Sequence, residues 1–145
     1  MKDAVMFLFT KNNGSRVLLE HRLTDKNKFE EIFIPNGSVE PIDRDTTENY
    51  LVSAMKREIK EEFCGKVVPI NFISSGSYTV HEIGIIFYIF IVHSWSGKHP
   101  IYAQENSKRS ARLKWHSIEE ALKIMPYPSG MYALNQLTVL RKKLH

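Results

Sequence analysis

Apolar residues fall along this chain in two rhythms. In the first, residues 4–9 are an unbroken apolar run, and residues 82–92 form a longer one with few interruptions. Runs without polar alternation read as strands buried on both faces, and the second is expected to be central. Between them, Lys11-Asn12-Asn13-Gly14-Ser15 carries the Asn-Gly chemistry of a hairpin turn. Val17-Leu18-Leu19 then opens the partner strand, which leads into Glu20-His21-Arg22. After a polar loop over residues 24–28, residues 29–34 read as a short strand. Residues 67–73 read as an edge or irregular strand, because Pro69 has no amide to give to a neighbour. Residues 94–110, with Gly97 and Pro100, read as a loop, and residues 113–116 as the last strand.

The second rhythm is helical. Val52, Met55, Ile59 and Phe63 make an apolar stripe that predicts a helix over residues 47–63. Asp45 or Thr46 can cap it, with Glu48 at capping-box distance from Asp45. Ser117-Ile118-Glu119-Glu120 is a capping box that opens a helix to about Met125, and Tyr127-Pro128-Ser129-Gly130 breaks it. Met131, Leu134, Leu137, Leu140 and Leu144 mark a C-terminal amphipathic helix. Strands with helices between them predict an α/β chain with helices on both faces of a mixed sheet.

At 145 residues this is one expected domain, 1–145, large enough for a core. Hydrophobic residues at 43% and charged residues at 25% are ordinary for a globular protein. Cys64 is the only cysteine, so no disulfide can form within the chain, which suits a reducing cytoplasm. The start Met1-Lys2-Asp3 lacks a signal-peptide pattern. The most apolar run is too short for a bilayer, which needs about 20 residues, so no membrane is expected. A net charge of +4 weakly favours anionic ligands. The cations are scattered, apart from Lys108-Arg109 with Arg112 and the tail Arg141-Lys142-Lys143. The tail reads as a complement to a helix dipole, so nucleic acid is not expected as a partner. A homodimer is left open.

Candidate chemistry concentrates in Arg57-Glu58-Ile59-Lys60-Glu61-Glu62. Arg57 and Glu61 stand four apart and can pair. Glu58 and Glu62 also stand four apart, where like charges on a helix repel by roughly 0.2–0.5 kcal/mol. Such a run can be a solvated face. It can also be a set of carboxylates converging on a cation, and oxygen-only ligands suit Mg²⁺ or Mn²⁺ rather than zinc. Upstream stands Ile34-Pro35-Asn36-Gly37-Ser38-Val39-Glu40-Pro41. Together these segments resemble the signature of the Nudix hydrolases, G-x5-E-x7-R-E-U-x-E-E-x-G-U with U apolar, over about residues 33–68.

The chain departs from that signature in three places. Nineteen residues separate Gly37 from Arg57 against thirteen in the signature, so six are extra, and they are placed in residues 44–49. Counting from Gly37 puts Asp43 at the signature's first Glu. Counting back from Arg57 puts Asn49 there, with Glu48 one residue off. The signature's last Gly is Cys64, followed by Gly65, and the first Gly of the family's usual pair is Asn36.

The resemblance implies a Nudix-type α/β/α sandwich with a mixed central sheet. It also implies Mg²⁺-dependent cleavage, with Mn²⁺ as an alternative, of the pyrophosphate bond in a nucleoside diphosphate joined to another group. A MutT-like nucleoside triphosphate pyrophosphatase is favoured over action on ADP-ribose, nucleotide sugars or dinucleoside polyphosphates. By resemblance Glu58, Glu61, Glu62 and the Gly37 carbonyl hold the metal, Glu58 helps deprotonate water, and Arg57 orients Glu58. Glu105 is the leading candidate for a separate general base, ahead of Glu82. Arg22, Lys108 and Arg109 are candidates to meet phosphates, and Glu40 is a candidate for the substrate site or the metal shell. Phe29, Tyr78, Tyr127 and Tyr132 could stack on a base. His21, His81, His93, His99, His116 and His145 lack zinc-site spacing, and Cys64 reads as a packing residue. The competing reading is a Nudix-fold module that binds a nucleotide or an RNA end without cleaving it.

Overall fold

The computed structural model describes residues 1–23, 30–106 and 108–144. The expected loop over residues 24–28, Phe29, His145 and the side chain of Leu144 lie outside the described residues. The strands are β1 (Lys2–Lys11), β2 (Arg16–Leu23), β3 (Glu30–Phe33), β4 (Asn36–Ser38), β5 (Val67–Val80), β6 (Ile85–Gly97), β7 (Tyr102–Glu105) and β8 (Lys108–Ser117). The helices are α1 (Tyr50–Glu62), α2 (Ile118–Ile124) and α3 (Pro128–Leu144), with short 3-10 turns at Pro41–Arg44 and His81–Ile83.

The sheet runs β5-β6-β1-β2-β8-β7, with β3 added on β2 and β4 on β1. It is mixed: β1 and β6 are parallel, in register from Lys2↔Ile85 to Phe9↔Val92, and the other pairs are antiparallel. β1 changes partners along its length. Its first half pairs with β4 through Val5↔Gly37, and its end pairs with β2 through Thr10↔Val17. That exchange curls the sheet and brings the glycine loop beside the strand that α1 covers.

The run 4–9 is apolar throughout because both faces of β1 are covered. Val5, Phe7 and Phe9 pack under α1 against Met55, Ile59 and Phe63. Met6 and Leu8 pack on the other face with Ile118, Ala121, Leu134 and Leu137 of α2 and α3. Each such side chain, fully buried, contributes about 1.5–3 kcal/mol. Phe63 closes the α1 layer with edge-on contacts to Phe7 and Phe9, at centroid distances of 6.1 and 5.6 Å. On the other face a chain of hydrogen bonds ties three elements together. His116 donates through Nδ1 to Glu120 and accepts from His21 between Nε2 atoms 2.7 Å apart.

This is the expected α/β/α sandwich, with several corrections. α1 starts at Tyr50 rather than residue 47, and its cap is Asn49, whose side chain accepts from the amides of Leu51 and Val52. Thr46 instead bonds the Ser53 hydroxyl. β5 is an edge strand, but it continues through bulges to Val80. Glu82 lies in a 3-10 turn ahead of β6 rather than at a strand start. The expected loop 94–110 holds the end of β6, all of β7 and the start of β8. The break between the last two helices falls at residues 125–127, and Pro128 opens α3, because the first helical position needs no amide. Cys64 is exposed rather than packed. Among the described residues no helix is long and apolar enough to cross a membrane.

Candidate functional site

A cleft of about 740 Å³ opens where β4, the C-terminal half of α1 and the β7–β8 turn meet. Its charged lining is Glu40, Glu58, Glu61, Glu62, Glu105 and Arg22, and Gly37, Asn36 and Ser38 supply backbone at its edge. The carboxylates gather because residues 58, 61 and 62 share one side of α1, while Val5↔Gly37 pairing pins β4 beneath them. Gly37 makes room for Glu58: a Cβ there would stand 2.1 Å from the Glu58 carboxyl carbon and 2.2 Å from its Oε2, and would push that side chain aside.

Arg57 sits behind this wall and organises it. Its Nε donates to Asp43 Oδ1 at 2.8 Å, and its Nη2 donates to Asp43 Oδ2 and to the Ser38 carbonyl, both at 2.9 Å. Its Nη1 donates to Glu58 Oε1 at 3.0 Å and to Glu61 Oε2 at 3.1 Å. Those bonds engage all five guanidinium N–H groups, so Arg57 holds neighbours and has nothing left for a substrate. Its own pKa is pushed further up by the Asp43 hydrogen bonds and by Glu58.

The two ways of counting the long spacer therefore end in different places. Asp43 is 3% exposed and grips Arg57 with both oxygens. It also accepts the Glu40 amide at 2.8 Å. The Arg57 hydrogen bonds, with the Glu40 amide, hold its pKa below the ordinary carboxylate range. Asn49 caps α1 and touches none of these groups. The chain between them is tied down by its own contacts, Arg44 to Asp3 at 3.5 Å and over the Tyr50 ring, and Lys56 to Glu48 at 2.6 Å.

Burial raises the pKa of Glu58, opposed by Arg57 and reinforced by Glu61 and Glu40. Glu62 is 6% exposed, and Glu61 is largely exposed. Among the described residues no three His, Cys, Asp or Glu side chains converge closely enough to hold a metal as they stand. Glu58 and Glu61 are instead turned onto Arg57.

Of the other expected residues, Arg22, Glu40 and Glu105 all line the cleft. Arg22 Nη2 lies 3.9 Å from Glu105 Oε2, and its guanidinium covers the Phe33 ring at 5.0 Å. Arg109 and Lys108 are not among the lining residues, and Arg109 covers Tyr102 at 4.7 Å. Glu82 lines a second hollow of about 530 Å³ that shares Asn36 and Phe87 with the cleft. That hollow is mostly apolar and includes Phe33, Tyr78 and Tyr127, whereas Tyr132 is not in its lining. Phe33 and Tyr127 stack at 4.9 Å and 19°.

Sequence reading missed Glu20, which stands fully buried beside Arg22. A carboxylate two residues from Arg22 in an apolar strand was the available signal, since alternation puts both on the face of Leu18.

No protein-family model matches this chain, and no curated protein matches it in sequence. Solved structures do. MutT from Aliivibrio salmonicida and Vibrio cholerae is similar at 16% identity and TM-score 0.70, over 96% of this chain and 98% of that one. The ORF135 protein of E. coli is similar at 22% identity and TM-score 0.73, over 99% and 92%. A Nudix hydrolase from Nitrosomonas europaea is similar at 18% identity and TM-score 0.61, over 97% and 90%. The fold of this chain is the Nudix hydrolase fold.

Proposed function

We propose that this chain is a divalent-metal-dependent hydrolase of the pyrophosphate bond in nucleoside diphosphate derivatives, with nucleoside triphosphates the favoured substrates. The observation that carries the reading is the Arg57 network, which ties Asp43, Glu58 and Glu61 into one array against Gly37 at the edge of an open cleft. A solvated helix face has no need of a half-buried arginine behind it or of a glycine that makes room for one carboxylate. The fold shared with MutT supports the same reading.

The donor set fits a hard cation. Glu58, Glu61, Glu62 and the Gly37 carbonyl offer only oxygen, and positive charge would offset the burial that raises the Glu58 pKa, to which Glu61 and Glu40 add. Arg57 takes Oε1 of Glu58 and Oε2 of Glu61, so loading would use the other oxygen of each carboxylate. Mg²⁺ or Mn²⁺ would there neutralise phosphate oxygens and acidify bound water. The chain's own residues do the rest. Arg57 orients Glu58, Arg22 meets phosphate, and Glu105 or Glu58 accepts the proton of the attacking water. The adjoining hollow, with Phe33, Tyr78 and Tyr127, takes the base.

One observation favours the binding module: no metal cluster is preformed among the described residues. A phosphate-release screen separates the readings. The wild type and Glu58→Gln are assayed with Mg²⁺ or Mn²⁺, with and without EDTA, on nucleoside triphosphates, ADP-ribose, nucleotide sugars and dinucleoside polyphosphates. Metal-dependent turnover that falls at least about a hundredfold in the variant is expected. No turnover, with nucleotides still raising Tm, would establish the binding module instead.

A further inference from the structure

We propose that Glu20 is a positioning residue for Arg22, and that a phosphate chain arriving at Arg22 drives a proton onto Glu20. The inference rests on the reading of the cleft as a phosphate site.

Glu20 is 0% exposed, and among the described residues neither of its carboxyl oxygens has a hydrogen-bond partner. Phe33 on β3 and Leu113 on β8 stand opposite it in the sheet. An isolated carboxylate in such a place either finds a counter-charge or takes up a proton. Among the described residues, the charged groups that act on it are Arg22 on its own strand and Glu105 from β7. Arg22 Nε lies 3.5 Å from Glu20 Oε2, close enough for attraction, and that Nε has no hydrogen-bond partner either. Arg22 is thus fixed on three sides, by Glu20 at Nε, by Phe33 against its face and by Glu105 at Nη2. Its remaining side is the cleft.

Burial pushes the Glu20 carboxyl up to about 7, with Arg22 restraining the rise and Glu105 adding to it. The group therefore stands balanced between its charged and neutral forms near neutral pH. A phosphate chain at Arg22 brings negative charge and takes over part of the guanidinium's field. The ionised form of Glu20 then loses its support, and the carboxyl takes a proton from solvent. Linkage makes the effect reciprocal, so protonating Glu20 strengthens phosphate binding.

The test is calorimetric binding of magnesium pyrophosphate at pH 7 in two buffers of different ionisation enthalpy, to the wild type and to Glu20→Gln. The probe's own proton exchange is common to both proteins, so the difference reports Glu20. The wild type is expected to take up about half a proton more than the variant. Its affinity should rise about five- to tenfold from pH 8 to pH 6 relative to the variant. Equal proton uptake in the two proteins would overturn the inference while leaving the phosphate site standing. Absence of pyrophosphate binding to the wild type would overturn both. If the variant does not fold, the ¹³C shift of the wild-type Glu20 carboxyl is titrated with and without the probe. A midpoint that rises on binding supports the coupling, and one that does not move refutes it.

Discussion

Asp43→Ala tests whether the array behind the cleft depends on one buried carboxylate. The Asp43 side chain is 2% exposed and that of Arg57 is 18% exposed, so their bidentate pair is shielded from water. The substitution removes two Arg57 hydrogen bonds, at 2.8 and 2.9 Å, and leaves the Glu40 amide without its 2.8 Å acceptor. Breaking a buried pair costs about 3–5 kcal/mol when the survivor is left unpaired. Arg57 keeps Glu58, Glu61 and the Ser38 carbonyl, so the expected loss is nearer about 2–3 kcal/mol. Asn49→Ala is the comparison, since it removes only the α1 cap, worth about 1 kcal/mol. Urea denaturation at constant m gives both stabilities, and the phosphate-release assay gives turnover. Asp43→Ala should also cut kcat about tenfold or more, because Arg57, which orients Glu58, loses its own anchor, whereas Asn49→Ala should leave kcat alone. The pH dependence has a definite sign. The folded-state pKa of Asp43 is depressed, so its contribution is present above the ordinary carboxylate range and is lost as pH falls through the lower, folded value. The wild type's advantage should therefore hold at pH 7 and fade only in acid. Equal stability and equal kcat in the two variants would refute this account of Asp43.

Gly37→Ala should lower turnover about a hundredfold for a stability cost of only about 1 kcal/mol, because the new Cβ would overlap the Glu58 carboxyl; unchanged kcat would show that Glu58 need not sit there. Cys64→Gly should stabilise the protein by about 0.5–1 kcal/mol, measured by thermal melting. Cys64 follows the α1 C-cap at φ 58°, where glycine is the better residue, and the Gly65 amide closes the turn on the Lys60 carbonyl at 2.8 Å. His99 packs edge-on against Phe9 and Phe63, and burial, with Lys11 adding to it, lowers its pKa to about 4. Relative to His99→Phe, the wild type should lose about 2 kcal/mol as pH drops from about 6.5 to about 4, after allowance for partial exposure; the comparison cancels the opposite slope of Glu20, whose raised pKa favours the folded state as pH falls, and parallel denaturation curves for the two proteins would refute the account. Removing metal with EDTA should weaken nucleotide binding at least about tenfold as well as stop turnover, and equal affinity with and without EDTA would refute the metal reading.

Much of the scaffold is written locally. The apolar run of β1, the Asn-Gly turn and the Ser117 cap each specify their element from within a few residues, and each formed where expected. β7 was hidden because Tyr102–Glu105 is short and draws its pairing from β8, which lies later in the chain. The start of α1 was misjudged because Asp45, Thr46 and Asn49 are all competent caps, and only the fold decides which one meets free amides. The same limit applied to the spacer. Counting residues cannot tell Asp43 from Asn49, since the choice depends on which side chain lies under Arg57 once β4 has paired with β1. Glu20 was passed over for a related reason. A single glutamate in a strand reads as an exposed position until β3 and β8 are seen to flank it on both sides.

The distribution of charge explains why the proposed activity needs a cation and why Arg22 matters beyond its number. Among the described residues lining the cleft, Arg22 is the sole cation beside Glu40, Glu58, Glu61, Glu62 and Glu105. Arg57 is spent on the wall, and no other described lysine or arginine lines the cleft, although the chain as a whole carries a net charge of +4. Such a lining repels a phosphate chain unless positive charge arrives with it. A module built only to bind nucleotides would line its cleft with arginines and lysines, and among the described residues only Arg22 does so here. The acidic wall makes sense as a set of ligands kept in order by Arg57 until a metal-bearing polyphosphate supplies the missing charge. Arg22, held between Glu20 and Glu105, is then the chain's own contribution to gripping that polyanion. Asp43, which grips Arg57 with both oxygens, precedes residues 44–49, and Asn49 at their end caps α1 instead.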